Sequence, residues 1–299
     1  MKASDFTIQK SGIFFLIYML ILVLGNVVLM PFNNSISQNA MTVLSVTVPY
    51  IIIGIVINIY MIRYHFSYKA ADIEPTLMQV FFMCPLLIFV YPMMMFVTTL
   101  SSAAFAWMGT DISTAFVNNM SHTLSLLGPF GSVIVFAVLP AYVEEFAFRG
   151  IMYGAFRKYG FVWAMLVSSI SFAMMHMSVD QFFYTLLMGM FLALIREITG
   201  STYPCLILHA GFNGLSVLAY FMSDSIKLME QSSVQRSVWM DVLELGVISL
   251  VASVVVMFLI KKLIKLSKYK FKKESVKLEI PVLYIIIWVV CGCFAVLSI

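Results

Sequence analysis

Long apolar runs separated by short polar connections set the pattern of this chain. The first run, 12–32, is long enough for a membrane helix, which needs about 20 residues. It has no small-residue cleavage site of the A-x-A kind and exceeds the length of a signal peptide's apolar region, so it reads as a retained first helix. Further spans are predicted at 41–62, 76–100, 130–156, 161–177, 182–195, 203–222, 238–260 and 280–297. Pro85 and Pro92 predict bends in the third, and Pro140 predicts a kink in the fourth. None of the runs alternates apolar with polar residues, as the strands of a membrane barrel would.

The connections differ in character. Residues 33–40 are uncharged, whereas 63–75 form a solvated loop with Arg63, His65, Lys69, Asp72 and Glu74. Residues 101–129 hold Asp111 and His122 but no Lys or Arg, and read as an extramembrane connection with some helix. Arg157, Lys158, Tyr159 and Gly160 make a tight basic turn, 178–181 a short polar loop, and 223–237 a longer one. Arg196, Glu197 and Gly200 close the sixth run, and 261–277 is rich in lysine.

Composition agrees with the pattern. The chain is 62% hydrophobic and 11% charged, against about 25% charged in soluble domains. The fold class is therefore all-α: a polytopic membrane bundle of about eight to nine transmembrane helices. Cys84, Cys205, Cys291 and Cys293 all sit in apolar runs, without disulfide-frame or zinc-finger spacing. With the N-terminus in the cytoplasm and nine spans, every Lys and Arg except Lys227 and Arg236 falls on the cytoplasmic side. The lysine run follows a span directly, so it reads as a topology signal or a contact with anionic lipid, with no nucleic acid as partner. The expected location is the cell membrane, multi-pass, and a bacterial plasma membrane fits the short loops.

One apolar run carries three charges. Glu144, Glu145 and Arg149 lie in the fourth span. Each costs about 2.5–3.5 kcal/mol at the centre of a lipid-exposed helix, while each flanking Phe, Val, Ile or Leu returns only about 0.3–0.6 kcal/mol. The helix should therefore face a protein-lined or water-filled interior. Glu145 and Arg149 are four residues apart with the acid N-terminal, the favourable order for a helical ion pair. Glu144 points about 100° away and is left free. A buried pair that merely locks two helices would not need this second acid.

Two of the four histidines fall in apolar helices. His176 follows Phe172 by four residues, and His209 precedes Asn213 by four, so each pair shares a helix face. Ala210, Gly211 and Gly214 allow close helix approach. Glu144 and His176 both lie about 22–26 Å from the Tyr159 turn, which puts them at one depth. His209 lies only about 12 Å beyond Gly200. Either the loop at 200–204 dips into the membrane or the helix ends are staggered. Taken singly, each histidine could serve as a helix-to-helix hydrogen bond. Two acids, two histidines, Arg149 and Asn213 on three nearby helices form an ionisable cluster of the kind found at functional sites.

Such a set suits a water-activating amide hydrolase. A carboxylate beside an imidazole can hold and deprotonate a water, and a second histidine with an asparagine can donate to a developing oxyanion. A serine or cysteine nucleophile is poorly supported, because there is no G-x-S-x-G and Cys205 has no base beside it in sequence. Zinc held by Glu, His176 and His209 is possible but not favoured, as no H-E-x-x-H occurs.

Glu-Glu-x-x-x-Arg, then Phe-x-x-x-His, then His-x-x-x-Asn on successive spans resembles the CPBP family. That family includes the CAAX prenyl endopeptidases that process Ras-like proteins and the bacterial Abi proteins linked to bacteriocin self-immunity. The resemblance implies an intramembrane endopeptidase acting on CAAX-like or bacteriocin-related peptides without a cofactor. Glu144 would activate the water with help from His176, His209 and Asn213 would form the oxyanion hole, and Glu145 and Arg149 would support them. It divides the chain into N-terminal helices (1–129), a catalytic core (130–222) and C-terminal helices with a basic cytoplasmic loop (223–299). The partners expected are a peptide or membrane-protein substrate and the lipid bilayer. The alternatives are a metal-dependent form of the same protease, a non-catalytic immunity or scaffold protein, and an ion pathway, the last disfavoured by the lack of an inverted repeat.

Overall fold

The structure is a computed structural model describing residues 8–32, 35–63, 74–109, 114–229, 237–267 and 280–297. Most of the solvated loop (64–73), Asp111, Arg236 and the basic stretch 268–277 lie outside the described residues. The described chain is helical and contains no strand, as the unbroken apolar runs require. Helix α1 (Ile8–Leu24) continues into a 3₁₀ segment (Gly25–Phe32) and is followed by α2 (Gln38–Arg63) and α3 (Leu77–Trp107). Then come α4 (Thr114–Ser132), α5 (Leu139–Glu145), α6 (Tyr153–Phe156) and α7 (Phe161–Met174). The rest is α8 (Val179–Thr199), α9 (Tyr203–Met229), α10 (Val238–Leu266) and α11 (Val282–Leu297).

Seven helical stretches among the described residues are long and apolar enough to cross a membrane. Two predicted spans are shorter. Helix α7 has 14 residues and α11 has 16, below the roughly 20 that a crossing needs. Helix α3 runs beyond the predicted end at 100 to Trp107, and its start is fixed by a reciprocal cap. Thr76 Oγ1 accepts from Gln79 N at 3.2 Å while Gln79 Oε1 accepts from Thr76 N at 2.9 Å. The connection predicted at 101–129 is more helical than its composition suggests: α4 occupies most of it and bends at Gly128, whose φ of 64° suits glycine.

The fourth span is not one regular helix. Residues Val133–Val138 and Phe146–Met152 are π-helical, and α5 lies between them. Pro140 stands in the first turn of α5, where a missing N–H is tolerated. The disruption predicted at this proline is thus taken up by the wider turn before it. Around this stretch the core is aromatic. Phe15, Phe148, Phe156, Phe172 and Tyr284 are fully buried or nearly so, and Phe148 meets Phe15, Tyr18 and Phe172 edge to face. Trp288 Nε1 on α11 donates to Ser171 Oγ on α7 at 3.0 Å, tying the two short helices together.

Helices α7 and α8 pack closely because of Gly189. A Cβ there would lie 3.1 Å from Ser169 Cβ, 3.2 Å from Ser169 Cα and 3.3 Å from Phe172 Cδ1. Gly189→Ala should push these helices apart and cost about 1–3 kcal/mol, the usual range for overpacking. The unfolding temperature of the purified variant checks this, and an unchanged value would contradict it.

Candidate active site

The acids are carried inward by α5, and the π turns flanking it put Glu144, Glu145 and Arg149 among the most buried residues of the chain. They are 2%, 0% and 0% exposed. Buried charges persist only when paired and hydrogen-bonded, and each has partners here. Arg149 Nη1 donates to Glu145 Oε1 at 2.8 Å, and Nη2 donates to the Gly189 carbonyl at 3.2 Å. The guanidinium carbon also lies 4.4 Å from the centroid of the Phe172 ring, within cation–π range. Arg149 therefore joins the acid-bearing segment to α7 and α8 at once.

His209, on α9, stands between the two acids. Its Nδ1 is 2.8 Å from Glu145 Oε1, and its Nε2 is 3.6 Å from Glu144 Oε2. A carboxylate held by a guanidinium accepts hydrogen bonds, so Nδ1 carries a proton and donates it to Glu145. The Nε2 distance is too long for a direct hydrogen bond and suits two groups that share a small third partner. The other oxygen of Glu144, Oε1, accepts from Tyr50 Oη on α2 at 3.1 Å.

His176 lies just past the end of α7. Its Nδ1 is 2.8 Å from the Phe172 carbonyl, which can only accept, so that nitrogen is protonated and Nε2 is the free one. The Phe172 ring meets His176 and His209 edge to face, with centroids 5.1 Å and 5.6 Å apart. Phe172 thus sits against Arg149 and both histidines. Direct hydrogen bonds join Glu145, Arg149 and His209, Glu144 lies within ion-pair range of His209, and Phe172 brings in His176. Among the described residues no hydrogen bond or ion pair links His176 to Glu144. Asn213 stands one turn beyond His209, half-buried, and no hydrogen bond joins it to the cluster among the described residues.

The depth of His209 follows from the turn before it. Ser201 and Thr202 are fully buried, so α9 starts inside the protein rather than at its rim. Thr199 Oγ1 receives the Ser201 N–H at 3.3 Å, and Cys205 Sγ donates to the Leu192 carbonyl at 3.2 Å.

Several contributors left no mark in the sequence pattern. Tyr50 is an ordinary aromatic in an apolar span. Arg196 and Glu197 read as a polar helix end, yet they are 9% and 2% exposed. Arg196 Nε donates to the Arg149 carbonyl at 3.4 Å. Glu197 binds Arg157 in a forked pair, with Arg157 Nε 2.7 Å from Oε2 and Nη2 on Oε1, and accepts from Tyr153 Oη. This pair clamps α6 and its following turn to α8, and it could have been suspected only from the opposite charges near two adjoining turns.

Among the described residues no three or more of His, Cys, Asp and Glu are grouped so as to hold a metal ion. His209 Nδ1 and Glu145 are already committed to each other, and His176 Nδ1 to the Phe172 carbonyl.

Residues 126–215 match the family model described as type II CAAX prenyl endopeptidase Rce1-like. All six candidate residues lie inside that segment, and the match supports the resemblance read from their motifs. No curated protein and no solved structure matches the chain significantly. Seven membrane-length apolar helices together with this similarity describe a multi-pass membrane protein related to a protease family.

Proposed function

We propose that the chain is an intramembrane endopeptidase that hydrolyses a peptide bond with a water activated at Glu144, in CAAX-like peptides or membrane proteins. The observation that carries this is the state of Glu144. It is 2% exposed, forms no ion pair closer than the 3.6 Å to His209 Nε2 among the described residues, and keeps Oε2 turned toward that nitrogen while Tyr50 holds Oε1. A structural acid would be neutralised as Glu145 is by Arg149. A carboxylate without a guanidinium partner, facing the His209 imidazole, is arranged to take a proton.

In this reading a water sits against Glu144 Oε2, and His176 Nε2 accepts its second hydrogen. Glu144 removes one proton as the water oxygen bonds to the scissile carbonyl carbon. The oxyanion that forms is met by His209 Nε2 and the Asn213 amide. For that role His209 carries hydrogen on both nitrogens, and the carboxylates on either side supply its counter-charge. The proton held by Glu144 then passes to the departing amine nitrogen as the C–N bond breaks. One water is consumed, its second proton passes by way of His176 Nε2 to the amine, and a carboxylate and an ammonium group are released.

The test is cleavage of a quenched fluorescent farnesylated CAAX peptide by the full chain in liposomes, alongside its unprenylated counterpart. Cleavage that depends on Glu144 supports the reading. No cleavage of either peptide, together with identical membrane-protein termini in cells carrying wild type and Glu144→Gln, would sink it. Cys205 should have no part in the chemistry, since its thiol is buried and spent on the Leu192 carbonyl. Cys205→Ala is expected to retain cleavage within about threefold, a barrier change below 1 kcal/mol. A loss beyond tenfold would reopen the thiol route.

A further inference from the structure

We infer that Tyr50 is a positioning residue for Glu144, supplied by a helix outside the segment that matches the protease family. This rests on the reading of Glu144 as the water-activating group. Tyr50 lies on α2, whereas the family match covers 126–215. Its hydroxyl hydrogen-bonds Glu144 Oε1 at 3.1 Å, and a hydroxyl facing a carboxylate oxygen is the donor.

A carboxylate has two equivalent oxygens and a soft terminal torsion. A donor fixed on one of them decides where the other points. Here Tyr50 holds Oε1, so Oε2 is the oxygen presented to His209 Nε2. Helix α2 is itself held firmly at this point. Ile53 and Ile57, on the same face as Tyr50, are fully buried. At Gly54 helix α2 lies against α5, where a Cβ would make an ordinary contact with Val143 Cγ2 at 3.7 Å. Tyr60, further along α2, donates to the Lys10 carbonyl on α1 at 2.7 Å. The phenol therefore reaches Glu144 from a braced helix rather than from a mobile one.

The hydroxyl matters to the reaction, and not only to helix packing, because it lies on the carboxylate that does the chemistry. Tyr50→Phe removes one oxygen and keeps the ring. In the liposome assay with the farnesylated peptide it should lower kcat about tenfold to a hundredfold, the value of one hydrogen bond to a charged group. KM should stay within about twofold, since the bond is to the base rather than to the substrate. Gly54→Ala alters the same α2–α5 contact without touching the hydroxyl and should leave kcat unchanged. Infrared spectroscopy gives a readout free of any substrate: the Glu144 carboxyl band, identified by its loss in Glu144→Gln, should shift in Tyr50→Phe.

An unshifted band overturns the inference. So does an unchanged kcat in Tyr50→Phe, or an equal loss of kcat in Gly54→Ala, which would assign the effect to packing. If wild type cleaves neither peptide and membrane-protein termini are identical in wild type and Glu144→Gln, the proposed function fails on its own and the infrared shift still decides the role of Tyr50.

Discussion

Glu144→Gln is expected to lower cleavage by about 10²–10⁴-fold, the contribution of a positioned general base, while the protein inserts and folds as before. Gln keeps the shape of Glu and one acceptor oxygen, so Tyr50 Oη retains a partner. What is lost is the capacity to take a proton at the position facing His209 Nε2. Stability should change little, because removal of a desolvated charge offsets the lost 3.6 Å pairing with His209 Nε2, and His209 keeps Glu145 at 2.8 Å. Initial rates on the farnesylated peptide and the unfolding temperature of the same preparation check both halves. Retention of a tenth or more of wild-type activity would remove Glu144 from the mechanism. A variant that lost activity only by unfolding would leave the acid with a structural role.

Arg149→Leu should be the most damaging to the fold. Arg149 is fully buried, pairs with Glu145 and donates to the Gly189 carbonyl. Removing it leaves Glu145 as a buried carboxylate with His209 alone, and breaking a buried pair from one side costs about 3–5 kcal/mol. The double variant Arg149→Leu with Glu145→Leu should recover much of that stability, because neither charge is then stranded. It should not recover cleavage, because His209 Nδ1 loses the acceptor that fixes its ring. Unfolding temperatures and rates for the three proteins form the test. Equal stability in the single and double variants would show that the pair is not the source of the loss. Arg149→Lys should also fail to restore wild-type behaviour, since one ammonium cannot reach Glu145 and the Gly189 carbonyl as a fork does.

How much of this could be read from the chain depends on the kind of interaction. Helices announced themselves through apolar length, and the Glu145–Arg149 pair through four-residue spacing, because both are local properties of one helix. The π turns around α5 could not be read. They follow from how the segment is packed, and the chain offers only Pro140 as a hint. Tyr50 was hidden for a related reason: a tyrosine in an apolar span looks the same whether its hydroxyl meets an acid or nothing. The length of α7 was overestimated because apolar residues such as Met175 and Met177 continue past the helix end, and that of α11 because Ile280 and Pro281 precede its first turn. Met177 has a φ of 46°, so the chain leaves the helix there although its hydropathy does not change.

Those two short helices have a consequence for the surrounding membrane. Helix α7, with 14 residues, spans about 21 Å, and α11, with 16, about 24 Å, against a hydrocarbon layer of about 30 Å. They are neighbours, joined by Trp288 and Ser171. Helices α3 and α10, with 31 and 29 residues, span about 45 Å and pack against each other through Ser249 Oγ and the Pro92 carbonyl. The protein is thus tall on one flank and squat on the other. A bilayer meets a squat wall by thinning, and the irregular backbone where α7 stops, beside His176, requires protein or water rather than lipid around it. The pinched flank is therefore the one that carries the end of α7, and with it His176.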